Sequence, residues 1–166
     1  GVIPAMVTTF DENEEVDLSR GRALVNYLIE AEVDGLYITG SIGEGFLMTG
    51  EERKAFTEAV IDEVKGRIPV IVHVGDIGTK KSIDLAKHAE KAGADAISSV
   101  PPFYYRFNGD DIFNYYKDIS ESVAIPMIVY NISLAGLMSN SLIKRIASVD
   151  NVKGLKFTGR EHDDMC

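Results

Sequence analysis

The sequence predicts an α/β fold: a (β/α)8 barrel of which these 166 residues supply about the first six strands. Three observations support that prediction. Short apolar runs rich in β-branched residues alternate with longer amphipathic stretches. The runs are apolar on both faces, as in strands covered on both sides. Strand starts recur roughly every 26 to 34 residues, the size of one strand–helix unit, and boundary phrases echo one another, "GRIPVIVHVG" against "VAIPMIVYN". Polar or reactive residues gather where strands end, at Thr8, Thr9, Ser41, Tyr104, Tyr130 and Lys156, which is where barrel enzymes keep their chemistry. A doubly wound sheet is the alternative, but no G-x-G-x-x-G follows the first strand.

The predicted strands are Val2–Val7, Gly35–Thr39, Pro69–Val74, Ala96–Val100, Pro126–Asn131 and Lys153–Phe157. In the first helix, Leu24, Tyr27, Leu28 and Ala31 follow i, i+3, i+4, i+7 spacing and predict one buried stripe. Phe56, Val60 and Val64 do the same in the second, which opens on a Thr49–Glu52 capping box. Gly93 is placed to end the third helix, because glycine adopts the left-handed cap conformation cheaply. A fourth helix is expected over Asp110–Glu121 and a fifth over Ser141–Ala147. Closing eight units takes roughly 200 residues or more. Residues 1–166 are therefore expected to form a single incomplete barrel domain, with the remaining units and any C-terminal helices outside this sequence. Open strand edges at either end would be an aggregation or assembly liability.

A net charge of −9 argues against partners such as nucleic acid or an anionic membrane, which want a basic face. No apolar run reaches the length of a membrane span, and a lone cysteine, Cys166, cannot form an internal disulfide. The expected compartment is the cytoplasm. No metal site is expected: His73 falls in a strand and His88 in a helix. The terminal "EHDDMC", with His162, Asp163 and Asp164, reads as a solvated helix start.

Lys156 stands inside the apolar run Leu155-Lys156-Phe157. An ammonium buried there costs several kcal/mol unless paired or neutral. Desolvation would lower its pKa and free an amine to attack a carbonyl and form an imine. A lysine snorkelling to solvent from a strand end is the other reading. Tyr130, in "VYNIS", suits a general acid/base, or a core tyrosine whose hydroxyl reaches water. "GSIGEGF", Gly40 to Phe46, lets backbone approach a ligand, and its successive N–H groups suit a carboxylate or phosphate, with Ser41 adding a hydroxyl. Ordinary turns use the same residues. "VPPFYYRF" reads as a stiff aromatic loop over the core or an oligomer contact.

Taken together, GSIGE, PPFYY, YNI and GLKFT occur in one order and spacing, and with them the chain resembles the pyruvate-dependent Schiff-base aldolases of the N-acetylneuraminate lyase and dihydrodipicolinate synthase family. The resemblance runs from "GVIPAMVTTF" through "GLKFT". It implies a (β/α)8 barrel with a C-terminal helical extension, assembled as a homo-oligomer, a dimer of dimers when full length. It implies that Lys156 forms an imine with pyruvate or another 2-keto acid, with no cofactor, and that Tyr130 shuttles the proton. Ser41 would link Tyr130 to its relay and help bind the carboxylate, and Tyr104 would complete the relay in a neighbouring subunit. Thr158 matches a position that contacts the sugar portion in lyases.

The branch expected is the lyase. The region after the YN motif, "SLAG", has no arginine for a second carboxylate, and Phe157 and Thr158 follow the lysine. The expected reaction is cleavage of an N-acetylneuraminate-like keto sugar acid to pyruvate and an aldehyde. Alternatives are a dihydrodipicolinate synthase-like condensation, a related keto-sugar-acid aldolase or dehydratase, and a catalytically silent keto-acid binder. Two departures bear on this. Ile42 replaces a hydroxyl residue of the carboxylate loop, a loss of roughly 1–3 kcal/mol, and "YNISLAG" lacks the proline that stiffens the loop in the family.

Overall fold

Among the described residues, five strands lie side by side in chain order, and every neighbouring pair is parallel. They are β1 (Leu36–Ile38), β2 (Val70–His73), β3 (Ala96–Ser99), β4 (Met127–Ile132) and β5 (Val152–Thr158) in a computed structural model that describes residues 1–159. Helices α1 (Leu18–Glu30), α2 (Gly50–Val64), α3 (Thr79–Ala92), α4 (Gly109–Glu121) and α5 (Asn140–Ala147) alternate with them. Among the described residues no helix is long and apolar enough to cross a membrane. The "EHDDMC" stretch lies outside the described residues.

Local chemistry sets the helix ends as expected. Thr49 Oγ1 accepts from the Glu52 N–H at 3.2 Å while the Glu52 carboxylate accepts from the Thr49 N–H at 2.6 Å. Gly93 caps α3 with φ of 99°. Side chains alternate across each strand, so the sheet has two apolar faces. Leu36, Ile38, Val72, Ile97 and Val129 pack beneath the helices with Phe56, Val60 and Ile146, each fully buried side chain contributing roughly 1.5–3 kcal/mol. Tyr37, Val100, Tyr130 and Ile132 form a second cluster on the opposite face, the inner side of the barrel.

Three expectations need correction. The Val2–Val7 segment is no regular strand. It runs beside β1 through a single Ala5–Tyr37 bridge, with the Tyr37 N–H donating to Pro4 O and the Met6 N–H to Tyr37 O. Pro4 has no N–H to extend a ladder. In α1, Tyr27 is 66% exposed and Ala31 is the C-cap; the buried positions are Gly21 and Val25, because α2 is the neighbour and lies one residue round the helix from the predicted stripe. The Leu155-Lys156-Phe157 run is half-buried, not enclosed. Its strand pairs only with β4 among the described residues, and Leu155 is 41% exposed.

Candidate active site

Register brings the chemistry together. Tyr130 on β4 is the paired neighbour of Lys156 on β5, so both side chains leave the same face of the sheet. Lys156 Nζ lies 3.2 Å from the centroid of the Tyr130 ring. The Thr158 hydroxyl, two residues along the same strand face, donates to the Tyr130 hydroxyl at 3.3 Å. An amine, a phenol and a second hydroxyl thus converge at the C-terminal ends of two adjacent strands.

The Gly40–Phe46 loop follows β1 as a succession of turns. It is built around Thr39, a buried β-branched residue held at a φ of 55°, where such side chains are disfavoured. Thr39 Oγ1 donates to His73 O at 2.9 Å, and the Thr8 hydroxyl donates to Gly43 O at 2.6 Å. Gly45 doubles back so closely that a Cβ there would stand 2.0 Å from Thr39 O; only glycine permits that approach. Beneath the loop, the buried Arg53 of α2 donates to His73 O at 2.7 Å and Gly75 O at 3.0 Å. Burial holds the guanidinium below its ordinary pKa, and Asp76 opposes that effect. The neighbouring His73 is held well below the usual imidazole value, first by burial and then by the Arg53 charge.

Of the predicted site residues, Lys156, Tyr130 and Thr158 are brought together. Ser41 lines an adjoining cavity of about 290 Å³ with Glu44, Phe46, Val100, Phe103 and Ile132. Ile42 is not among its lining residues and is 59% exposed. Tyr104 stands away from Tyr130. It is 83% exposed, at a φ of 78°, with its ring edge-on to Tyr105 at 5.0 Å. Sequence reasoning missed Tyr37, Thr39 and Arg53. A strand tyrosine and a helix arginine resemble any core or surface residue. The only signal for Thr39 was its place between a strand and a glycine loop.

A half-barrel with a lysine amine laid on a tyrosine at its strand ends has the layout of a barrel enzyme's reaction centre. The chain belongs to the dihydrodipicolinate synthetase family, whose model matches residues 1–166. An N-acetylneuraminate lyase of Citrobacter koseri is 39% identical over 161 residues, covering 95% of this chain and 54% of the relative. The CdNal structure from Clostridium difficile, in complex with mannosamine, superposes with a TM-score of 0.96 at 36% identity, over 99% of this chain and 58% of that one. A catalytic lysine mutant of Ruminococcus gnavus sialic acid aldolase gives 0.96 at 32% identity, over 99% and 55%. The chain thus spans about half the length of the relatives it matches, and its fold is part of the (β/α)8 barrel they share.

Proposed function

We propose that the full-length protein is a Schiff-base aldolase that reversibly cleaves an N-acetylneuraminate-like 2-keto sugar acid into pyruvate and an aldehyde. The observation behind this reading is the Lys156 amine resting on Tyr130 across the β4–β5 register. The neutral amine adds to the C2 carbonyl, the Tyr130 phenol gives its proton to the departing hydroxyl so that water leaves, and the nitrogen carries one positive charge as a protonated imine. Tyr130, in its phenolate form, takes the proton from the C4 hydroxyl as the C3–C4 bond breaks. The bonding pair passes into the imine as an enamine, and the aldehyde departs. Protonation at C3 and hydrolysis then release pyruvate and regenerate Lys156. The backbone N–H groups of the Gly40–Phe46 loop and the Ser41 hydroxyl are suited to the substrate carboxylate, and Thr158 to the sugar portion. The reaction needs no cofactor, since the imine is the electron sink. The exposed Tyr104–Tyr105 pair favours a homo-oligomer in which Tyr104 completes the relay of a neighbouring copy. The names of the similar lyase and aldolase support the lyase branch.

The test is incubation of the full-length protein with pyruvate and borohydride, followed by intact mass and peptide mapping. One reduced pyruvyl group on Lys156 is expected, together with pyruvate release from N-acetylneuraminate in a lactate dehydrogenase-coupled assay. A folded protein with no adduct on Lys156 would overturn the reading. An adduct without cleavage of any sugar acid would instead favour a silent keto-acid binder, the second reading that the exposed, hydroxyl-free Ile42 supports.

A further inference from the structure

Lys156 lies between two aromatic faces, and only one of them belongs to the tyrosine placed in the reaction. The other is Tyr37 of β1, whose ring centroid is 5.1 Å from Nζ. The two rings meet edge to face, with centroids 6.1 Å apart at 82°. Tyr37 is 4% exposed and its hydroxyl is engaged: it donates to Ser98 Oγ at 3.1 Å, which in turn donates to Ile128 O at 2.8 Å. The backbone makes room for the ring. A Cβ at Gly40 would stand 2.6 Å from Tyr37 Cε1, so glycine at the strand exit lets the ring lie flat under the loop.

We infer that Tyr37 is a positioning residue for Lys156, forming with Tyr130 an aromatic slot that holds the cationic nitrogen through its ring and not through its hydroxyl. This rests on the reading of Lys156 as the imine-forming nucleophile. The ring quadrupole attracts a cation within about 6 Å of the centroid. Both the free ammonium and the protonated imine are cations, whereas the neutral amine between them is not. The slot therefore keeps the nitrogen over the two rings before and after the keto acid is captured. The phenol is engaged with Ser98, and burial pushes its pKa up against the lowering effect of that hydrogen bond. The groups facing the slot are Tyr130 on β4, the Thr158 hydroxyl on β5, His73 on β2 and Arg53 on α2. The His73 ring is tilted at 44° to that of Tyr37 with centroids 6.2 Å apart, and the charge of Lys156 helps keep it neutral. Arg53 is a like charge. Of these groups, the two aromatic faces are the ones that favour a cation.

The experiment compares the full-length wild type with Tyr37→Phe, Tyr37→Leu and Ser98→Ala. Competitive acylation of Lys156 by acetic anhydride across a pH series, read by peptide mass, gives the ionisation midpoint of the amine with no keto acid present. Tyr37→Phe and Ser98→Ala should match the wild type, because the ring remains. Tyr37→Leu should lower the midpoint by about 0.5–1 pH unit. If Tyr37→Leu does not fold, as judged by circular dichroism, Tyr37→Met removes the ring at similar volume and has the same expectation. A midpoint unmoved by loss of the ring, or moved equally by Tyr37→Phe, overturns the inference. Absence of any pyruvate adduct in the wild type would instead refute the nucleophile assignment, and the acylation midpoints would still decide whether the slot exists.

Discussion

His73 should make the fold sensitive to mild acid, and the size of the effect follows from its surroundings. The imidazole is buried in β2 with Phe46 edge-on at 5.3 Å, and its Nε2 accepts from the Val100 N–H at 3.2 Å. The proton therefore sits on Nδ1, which makes no well-formed hydrogen bond and has only the Thr39 backbone nearby. A second proton would have to replace the Val100 hydrogen bond beside Arg53, and the folded-state pKa is accordingly depressed, by burial first and by Arg53 second. In the unfolded chain the ring titrates near 6.5. Below that pH the unfolded state binds a proton that the folded state refuses, so stability falls as pH falls. The loss is about 1.4 kcal/mol at pH 5.5 relative to neutral pH, approaching 1.4 kcal/mol for each further unit until the folded ring also titrates. Asp11, Glu52 and Glu63 have depressed carboxyl pKa values through their hydrogen bonds, so their stabilisation is lost only at lower pH, below the ordinary carboxyl range near 4. Urea unfolding of the full-length protein and its His73→Gln variant at pH 7.5, 6.5 and 5.5 isolates the histidine. The wild type should lose about 1.4 kcal/mol more than the variant over this range. Equal slopes, or a His73 resonance titrating near 6.5 in the folded protein, would refute the reasoning.

Two further outcomes follow from the frame beneath the loop. Gly45→Ala forces a methyl against the carbonyl of Thr39, at 2.0 Å from its oxygen, so the loop must move. Keto-acid capture should drop at least 10-fold, and because the clash is with backbone the melting temperature of the full-length protein should fall as well, measured by borohydride trapping on the folded variant beside calorimetry; unchanged trapping would show that the loop does not hold the carboxylate. Arg53→Met removes two hydrogen bonds from buried carbonyls at His73 and Gly75 but also removes the cost of burying a guanidinium whose Nε has no partner. The net destabilisation should be about 2–4 kcal/mol, read as a lower urea midpoint, and a variant as stable as wild type would show that burying the charge costs as much as its hydrogen bonds return.

The parts of this fold legible in the sequence are those that depend on near neighbours. The capping box needs only Thr49 and Glu52, the α3 stop only Gly93, and a strand such as Val70–His73 only its own β-branched run. Lys156 and Tyr130 stood out as polar residues late in apolar strands, but their roles, and Thr158 altogether, were legible only through the family resemblance; parallel register then brings the three together. Failures occurred where a neighbour decides. Tyr27 fits the helical period as well as Val25 does, and only the position of α2 selects Val25. Leu155 looks like core until it is clear that β5 has a strand on one side only among the described residues. Tyr37 shows the same limit within the site. Its strand is short and apolar, and nothing local separates a ring facing the helices from one facing the barrel interior. A one-residue change of register would turn Leu36 and Ile38 inward and take Tyr37 away from Lys156. The pairing of Tyr37 with Ile71, and the Ser98 hydrogen bond across β2, fix the ring where the lysine meets it. The second wall of the slot is therefore a property of three strands together, and no single stretch of sequence contains it.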